Sequence, residues 1–418
     1  MAFLIDLDPG EIRARFAWAK RRGLPRWLWP DIDPKLWRAA LSDIAGILGH
    51  VLTDRASDLP LDGDPRVLSL AAYTSGTGPL LGYFVERGKL QATPAVSAML
   101  AIHLAHGRDR MEMLRQEAIT ATRMLADKGI HAIVAKGMHT AFVYFPEPGC
   151  RPVSDIDLIV RPRELARAEE IFRSQGYRGT VMSQVPYQCD WTQAGMPAPP
   201  RSLLHVHARD PWSIDLQTTL DRHVKDIAVV PLDRFASRER LSAWPISDNA
   251  RVLEQPLLLA LLAAHASQHL INLSLIRLVE LALVVRADVA SGELDWDALM
   301  PLLSEIGPRY VYPAFFACEK LLPGTIAPAV LRACEADAPA GIRRVLARRA
   351  VSNLQPLDRH SFAERYMWIS GWRNRLRRIA NELSPGSANR TPMKAFAVYL
   401  NRVRSLRHIF VKPDPPAR

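Results

Sequence analysis

The sequence predicts an α+β protein in which a small mixed sheet is flanked by helical N- and C-terminal regions. Three observations carry this. Apolar residues recur at helical spacing in 36–52 and 95–126, for example Met111, Leu114, Ala118, Ala121 and Leu125. From residue 130 the pattern changes to short apolar runs separated by Gly and Pro. From 250 it returns to helix, strongest in the apolar pair 253–270 and 273–290. These changes divide the chain into a helical region (1–126), an α/β core (127–248), a second helical domain (249–385) and a basic C-terminal helix and tail (386–418).

Composition bounds what such a chain does. Its 418 residues, 48% hydrophobic and 23% charged, are those of a folded globular protein with a sizeable core. The formal charge of +11 favours anionic partners without choosing among nucleotides, nucleic acid and acidic surfaces. Cys150, Cys189, Cys318 and Cys334 lie far apart and form no CxxC pair, so neither a zinc site of common spacing nor a disulfide framework is suggested, which fits a reducing compartment. No export signal opens the chain. The most apolar segment, Leu257 to Val285, is interrupted by His265, Arg277 and Glu280, so a packed helix pair is expected rather than a membrane span. The expected location is the cytoplasm.

In the N-terminal region the helices break at Pro25, Pro30, Pro60, Pro65, Pro94 and the TSGTG run of Thr74 to Gly78. That run is rich in Gly but lacks GxxxxGK[ST], and Pro79 follows it, so it reads as a loop rather than a phosphate cradle. In the core, Ile130 to Ala135 reads as a strand, Lys136-Gly137 as a tight turn and Met138 to Phe145 as a short helix. After FPEPGCRP comes a strand, Val153 to Val160. An amphipathic helix, Pro162 to Gln175, follows with Gly176 as its stop. Further strands are expected at 178–183, 202–208 and 212–218, with a Pro-rich loop around 196–200.

The chemistry centres on Asp155 and Asp157. Residues i and i+2 of a strand project from the same side, so both carboxylates point one way. Like charges placed so call for a cation or a divalent metal. A third acid, Asp215, sits in the strand candidate WSIDLQT. A Gly turn opening a helix, two carboxylates on the next strand and a third on a later one suit nucleotidyl transfer, in which two Mg²⁺ ions held by carboxylates bind a triphosphate. Phosphate oxygens would meet the backbone after Gly137 and the Lys136 ammonium.

The segment KGMHTAFVYFPEPGCRPVSDIDLIV, with Gly-Tyr and SIDLQ downstream, resembles the bacterial nucleotidyltransferase family of polymerase-β-like fold whose members carry KG…L…Y…R…DIDLLV…A…L…GY. Lys136, Gly137, Tyr144, Arg151, Asp155, Asp157, Gly176 and Tyr177 match. LLAAHASQH and LIRLVELALVV, with His265 and Arg277, look like the family's later helical segment, so the likeness runs over roughly 100–290. It implies a Mg²⁺-dependent transferase that uses an NTP, ATP being the first choice. Asp155, Asp157 and Asp215 would be its metal-binding and catalytic residues, and Lys136, Gly137, Arg151 and Ser154 its nucleotide-binding ones. The acceptor would be a peptide, protein, small molecule or RNA. The chain departs from the pattern in having Lys136-Gly137 where the wider superfamily has Gly-Gly or Gly-Ser, Gln217 where His is common, and Glu280 where Asp is common. Rival readings are an inactive binding or regulatory protein of the same fold and a toxin- or antitoxin-like nucleotidyltransferase.

Several residues carry a blander alternative. Arg151 is either a phosphate contact or, more in keeping with its position, a structural partner of Asp155. Asp215 could simply pair with Arg209 or Arg222. His265 and His269 have the i, i+4 spacing of a zinc pair but lack the Glu of HExxH, so a packed helix face is expected. His205 and His207 face one side of a strand candidate near Asp215, or merely line a solvated edge. The Arg-rich segments IRRVLARR, RNRLRR and NRVRSLRH, with Trp368 and Trp372 among them, suit a solvated face or an acidic partner, an RNA or a membrane surface.

Overall fold

The computed structural model describes residues 32–53, 60–184, 187–196, 208, 210–224, 227–237, 240–268, 270, 273–353, 364, 366–369 and 371–383, together with residue 14. The strand candidate 202–207, with His205 and His207, lies outside the described residues, as do Arg209, His269 and the NRVRSLRH segment.

Between residues 32 and 126 the described residues form four helices: α1 (Pro34–Val51), α2 (Pro65–Ser75), α3 (Gly78–Glu86) and α4 (Pro94–Ala126). Each has Pro in its first turn, where a missing N–H costs nothing. Asp33 and Asp64 cap α1 and α2 by accepting from the N–H two residues on. The TSGTG run is the tight corner between α2 and α3, turned at Gly76 with φ +74°. Its hydroxyls are buried yet satisfied: Thr74 donates to the Leu70 carbonyl at 2.8 Å, Ser75 to Ala71 at 2.7 Å, and Ser75 meets Thr77 at 2.8 Å.

The core adds β1 (Ile133–Val134), α5 (Gly137–Val143), β2 (Ile156–Ile159), α6 (Leu165–Ser174), β3 (Tyr177–Gln184), β4 (Tyr187–Gln193), β5 (Ile214–Gln217), β6 (Arg222–Val224), β7 (Ala228–Val230), β8 (Leu241–Trp244) and β9 (Ser247–Leu253). Seven strands form one mixed sheet in the order β3-β4-β5-β2-β1-β9-β8, and β6-β7 is a separate hairpin. β2 runs parallel to β5 and antiparallel to β1, while β1 runs parallel to β9. β2 and β5, in the centre, are buried at every position, so they read as near-continuous apolar runs interrupted only by Asp157, Asp215 and Gln217.

The second helical region contains α7 (Leu257–Ser267), α8 (Leu275–Ser291), α9 (Trp296–Ile306), α10 (Tyr312–Leu321), α11 (Pro328–Asp337), α12 (Ala340–Arg348) and α13 (Trp372–Leu383). Its apolar residues join those of α1 to α3 in one hydrophobic core, so chain segments from both ends close over each other. The sheet has its own core, built from Ile156, Leu158, Ile214 and Leu216 with the helix faces of α4 and α6. The 33-residue α4 serves both: Val96, Met99, Leu100 and Leu104 belong to the first, and Met111, Leu114, Ala118, Ala121 and Leu125 to the second. At 1.5 Å per residue it is about 50 Å long, enough to tie the two together. Among the described residues no helix is long and apolar enough to cross a membrane.

The α+β class holds, with differences in detail. The strand expected over Val153 to Val160 begins at Ile156, because the segment before it is pinned by α4 rather than by a neighbouring strand. The strand expected at Ile130 to Ala135 shortens to two residues. β4 and the β8–β9 hairpin are additions. Only Glu254-Gln255-Pro256 separates the apolar end of β9 from the LLLALLAA of α7, so Val252 and Leu253 merge with the helical apolar pattern. In the C-terminal Arg-rich part, Trp368 is buried, whereas Trp372 and Leu376 on α13 are exposed.

Candidate active site

The site forms at the beginning of the central strands β2 and β5. Asp157 and Asp215 are direct partners in the parallel ladder, and therefore project from the same face. Asp155 lies in the bend just before β2. Carboxylate oxygens of Asp155, Asp157 and Asp215 all come within 4.8 Å of one another, the first half-buried and the other two buried. A fourth acid, Asp190 on β4, is the ladder partner of Asp215 on its other side.

Neighbouring side chains temper this crowding. The Lys136 ammonium donates to Asp157 Oδ1 at 2.5 Å, and Gln217 Nε2 reaches the same oxygen at 3.2 Å and Asp215 Oδ2 at 2.5 Å. Gln188 Nε2 adds a bond to Asp215 Oδ2 at 2.9 Å. Asp215 Oδ1 is buried with no hydrogen-bond partner. Burial pushes the Asp157 carboxyl above its ordinary range against the pull of Lys136, and burial followed by repulsion from Asp157 does the same to Asp215. Asp190 is raised to about 6, first by burial and then by Asp155 and Asp157. A buried, electron-rich cluster with one oxygen left over suits a divalent cation.

Lys136 holds its place through an unusual backbone. With φ 54° it is the one non-glycine residue with positive φ among the described residues, and it begins α5. For a side chain with a Cβ this conformation costs on the order of 1–3 kcal/mol, the kind of strain that collects at functional sites. Gly137 follows because a Cβ there would press on Val153 at 2.9 Å. The segment just before Asp155 is fixed from the far side. Arg110, buried on α4, donates to the carbonyls of Val153 at 2.7 Å, Ser154 at 2.9 Å and Asp210 at 2.8 Å. Ser154 turns its hydroxyl onto Asp155 Oδ1 at 2.8 Å.

Two expected pairings are corrected. Arg151 does not partner Asp155. Its Nη2 donates to Glu280 Oε2 on α8 at 2.9 Å, and its Nη1 bonds the Pro152 carbonyl, because the turn after Cys150 aims it towards the second helical region. Glu280 also accepts from Thr140. Nor does Arg222 pair with Asp215: its Nη1 donates to Gln217 Oε1 at 3.2 Å, and Gln188 and Gln217 serve Asp215 instead.

A cavity of about 160 Å³ opens from the carboxylates towards α7 and α8. Lys136, Gly137, Arg151, Ser154, Asp155 and Asp157 line it on the core side, and His265, Arg277 and Glu280 on the helical side, with Gly76 of the TSGTG corner at its edge. Burial, then the charges of Lys136 and Arg277, holds His265 well below its ordinary range and keeps its imidazole neutral. Thus every residue assigned to the site from sequence, except Asp215, borders this cavity, and Asp215 joins through Asp157. Asp190, Gln188 and Arg110 escaped sequence reasoning. Only the alternation of Cys189 and Trp191 around Asp190 hinted at β4.

Nothing among curated proteins or solved structures matches the chain. A family model described as uncharacterised nucleotidyltransferase matches residues 63–323, taking in the carboxylates, the Lys136-Gly137 turn and both sides of the cavity. That match covers well over half of the sequence, and the chain therefore belongs to this uncharacterised nucleotidyltransferase family.

Proposed function

We propose that the protein is a metal-dependent enzyme that moves a nucleoside monophosphate from an NTP to an acceptor hydroxyl or similar group. The convergence of Asp155, Asp157 and Asp215 within 4.8 Å carries this reading. The donor set fits a hard divalent cation such as Mg²⁺: all ligand atoms are carboxylate oxygens, and Asp215 Oδ1 is buried without a partner. Asp155, Asp157 and Asp215 would hold one or two ions. When bound, these supply charge neutralisation at the triphosphate and activation of the acceptor oxygen.

The chain's own residues do the rest. Lys136, now countering Asp157, lies on the cavity wall within reach of a phosphate group. Arg151, locked by Glu280, braces the wall between the core and α8. Asp215, beside the other two carboxylates, is placed to take up the acceptor proton. The acceptor is a peptide, protein, small molecule or RNA, and ATP is the first NTP to try.

The test is to incubate the protein with each NTP labelled at the α-phosphate, Mg²⁺ and a cell lysate, and to find which molecule acquires label. Transfer that disappears in Asp157→Asn, with circular dichroism unchanged, supports the reading. Nucleotide binding without turnover over a broad acceptor panel would favour a binding or regulatory protein instead.

A further inference from the structure

Of the three cations on the cavity wall, two are ion-paired, and among the described residues the third has no ion-pair partner, although Glu280, Asp155 and Asp157 favour its charge from further off. Lys136 is paired with Asp157, and Arg151 with Glu280. Arg277, in the first turn of α8, has its Nη1 buried with no hydrogen-bond partner. Glu280 lies one turn further along the same helix but is committed to Arg151 and Thr140. Burial, and then repulsion from Arg151, works against the Arg277 charge. Arg151 Nε is also buried without a partner on the same cavity. Buried guanidinium N–H groups left unmatched in this way are costly unless something anionic completes them.

We infer that Arg277, with the free Nε of Arg151, forms the binding site for the β- and γ-phosphates of the nucleotide, and so for the pyrophosphate that leaves. This rests on the nucleotidyl-transfer reading above and names the residues that would hold the leaving group. The cavity gives the inference its direction, because it runs without interruption from Asp155 and Asp157 to Arg277. A triphosphate attacked beside the carboxylates would extend its remaining phosphates along that path. A planar guanidinium matches phosphate oxygens with paired N–H donors. The neighbouring His265, held neutral, adds no repulsive charge of its own. In the transfer step the acceptor oxygen forms a bond to the α-phosphorus, the bond to the bridging oxygen breaks, and the electron pair leaves with pyrophosphate, whose growing charge Arg277 would meet.

The experiment compares the full-length wild type with Arg277→Met and Arg277→Lys, with Mg²⁺ present throughout. Calorimetry would use tripolyphosphate, orthophosphate and a non-hydrolysable ATP analogue, and thermal unfolding would follow each protein without ligand. The expected result is at least tenfold weaker binding of tripolyphosphate and of the analogue in Arg277→Met, with Arg277→Lys in between. Ligand-free Arg277→Met should melt no lower than wild type, since it sheds an unpaired charge. A merely structural arginine would instead lower the melting temperature. Unchanged binding of both probes in Arg277→Met overturns the inference, as does orthophosphate binding as tight as that of tripolyphosphate. Wild type that binds neither tripolyphosphate nor the analogue overturns both this inference and the reading beneath it. Arg277-dependent binding of tripolyphosphate by a protein that transfers no α-label keeps the anion site and removes the transferase.

Discussion

Asp157 on β2 and Asp215 on β5 face each other directly across a parallel ladder, so two carboxylates from distant parts of the chain share one buried face. Like charges opposite one another weaken a sheet. Asp190 extends the row to a third strand. Lys136, Gln188 and Gln217 compensate only in part, since Asp215 Oδ1 is left without a partner. This crowding costs stability, and the protein's pH behaviour should show it.

Asp190 gives the simplest test of that cost. Its folded value near 6 lies above the ordinary 3.8, so the folded protein holds this proton more tightly than the unfolded chain. The associated stability is complete below about 3.8 and is lost as the pH rises through about 6. In buffer containing a chelator, Asp190→Asn should therefore gain on wild type between about pH 4 and about pH 7, by roughly 1 kcal/mol after allowance for solvent access. Urea unfolding at a series of pH values measures this. A difference that stays flat over the range contradicts it.

The Arg151–Glu280 pair, at 2.9 Å and largely buried, ties the loop before β2 to α8. Removing one partner strands the other charge, so Glu280→Ala should cost about 3–5 kcal/mol in chemical denaturation. Arg151→Met combined with Glu280→Leu should recover a good part of that loss. A cost below about 1 kcal/mol for Glu280→Ala would show that the pair does not hold the two regions together.

Gly107 tests how closely α4 approaches the loop that carries Arg151. A Cβ at this position would run into the Gly149 carbonyl oxygen and the Pro79 ring. Gly107→Ala should destabilise the fold by about 1–3 kcal/mol, despite the better helix propensity of Ala. It should also lower transfer by displacing the segment before Asp155. A stabilised variant would mean that the approach is looser than described.

The parts of the site legible in the sequence are those whose signal is local. Asp155-Ile156-Asp157 stands out as two acids at strand spacing within an apolar run, a pattern that alone also fits an exposed strand face, and Asp215 in a second strand-like run adds to it. Gly76 and Gly176 mark the ends of helices at positive φ, as their positions suggest. Partnerships between distant segments leave no such trace. Nothing near Arg151 points to Glu280, and Arg110 looks like any arginine on a long amphipathic helix until its three carbonyl acceptors are seen. Asp190 stayed hidden because the strand around it is half-exposed and weakly patterned.

The central claim is that the α-phosphate is the group transferred. Parallel reactions with ATP labelled at the α- or the γ-phosphate, using the same lysate and Mg²⁺, separate nucleotidyl from phosphoryl transfer. In nucleotidyl transfer α-label enters the acceptor and γ-label is released as pyrophosphate, and Asp157→Asn should lower both by about a thousandfold or more, the equivalent of several kcal/mol of transition-state stabilisation. Incorporation of γ-label, or α-label incorporation by Asp157→Asn equal to that by wild type, would contradict it.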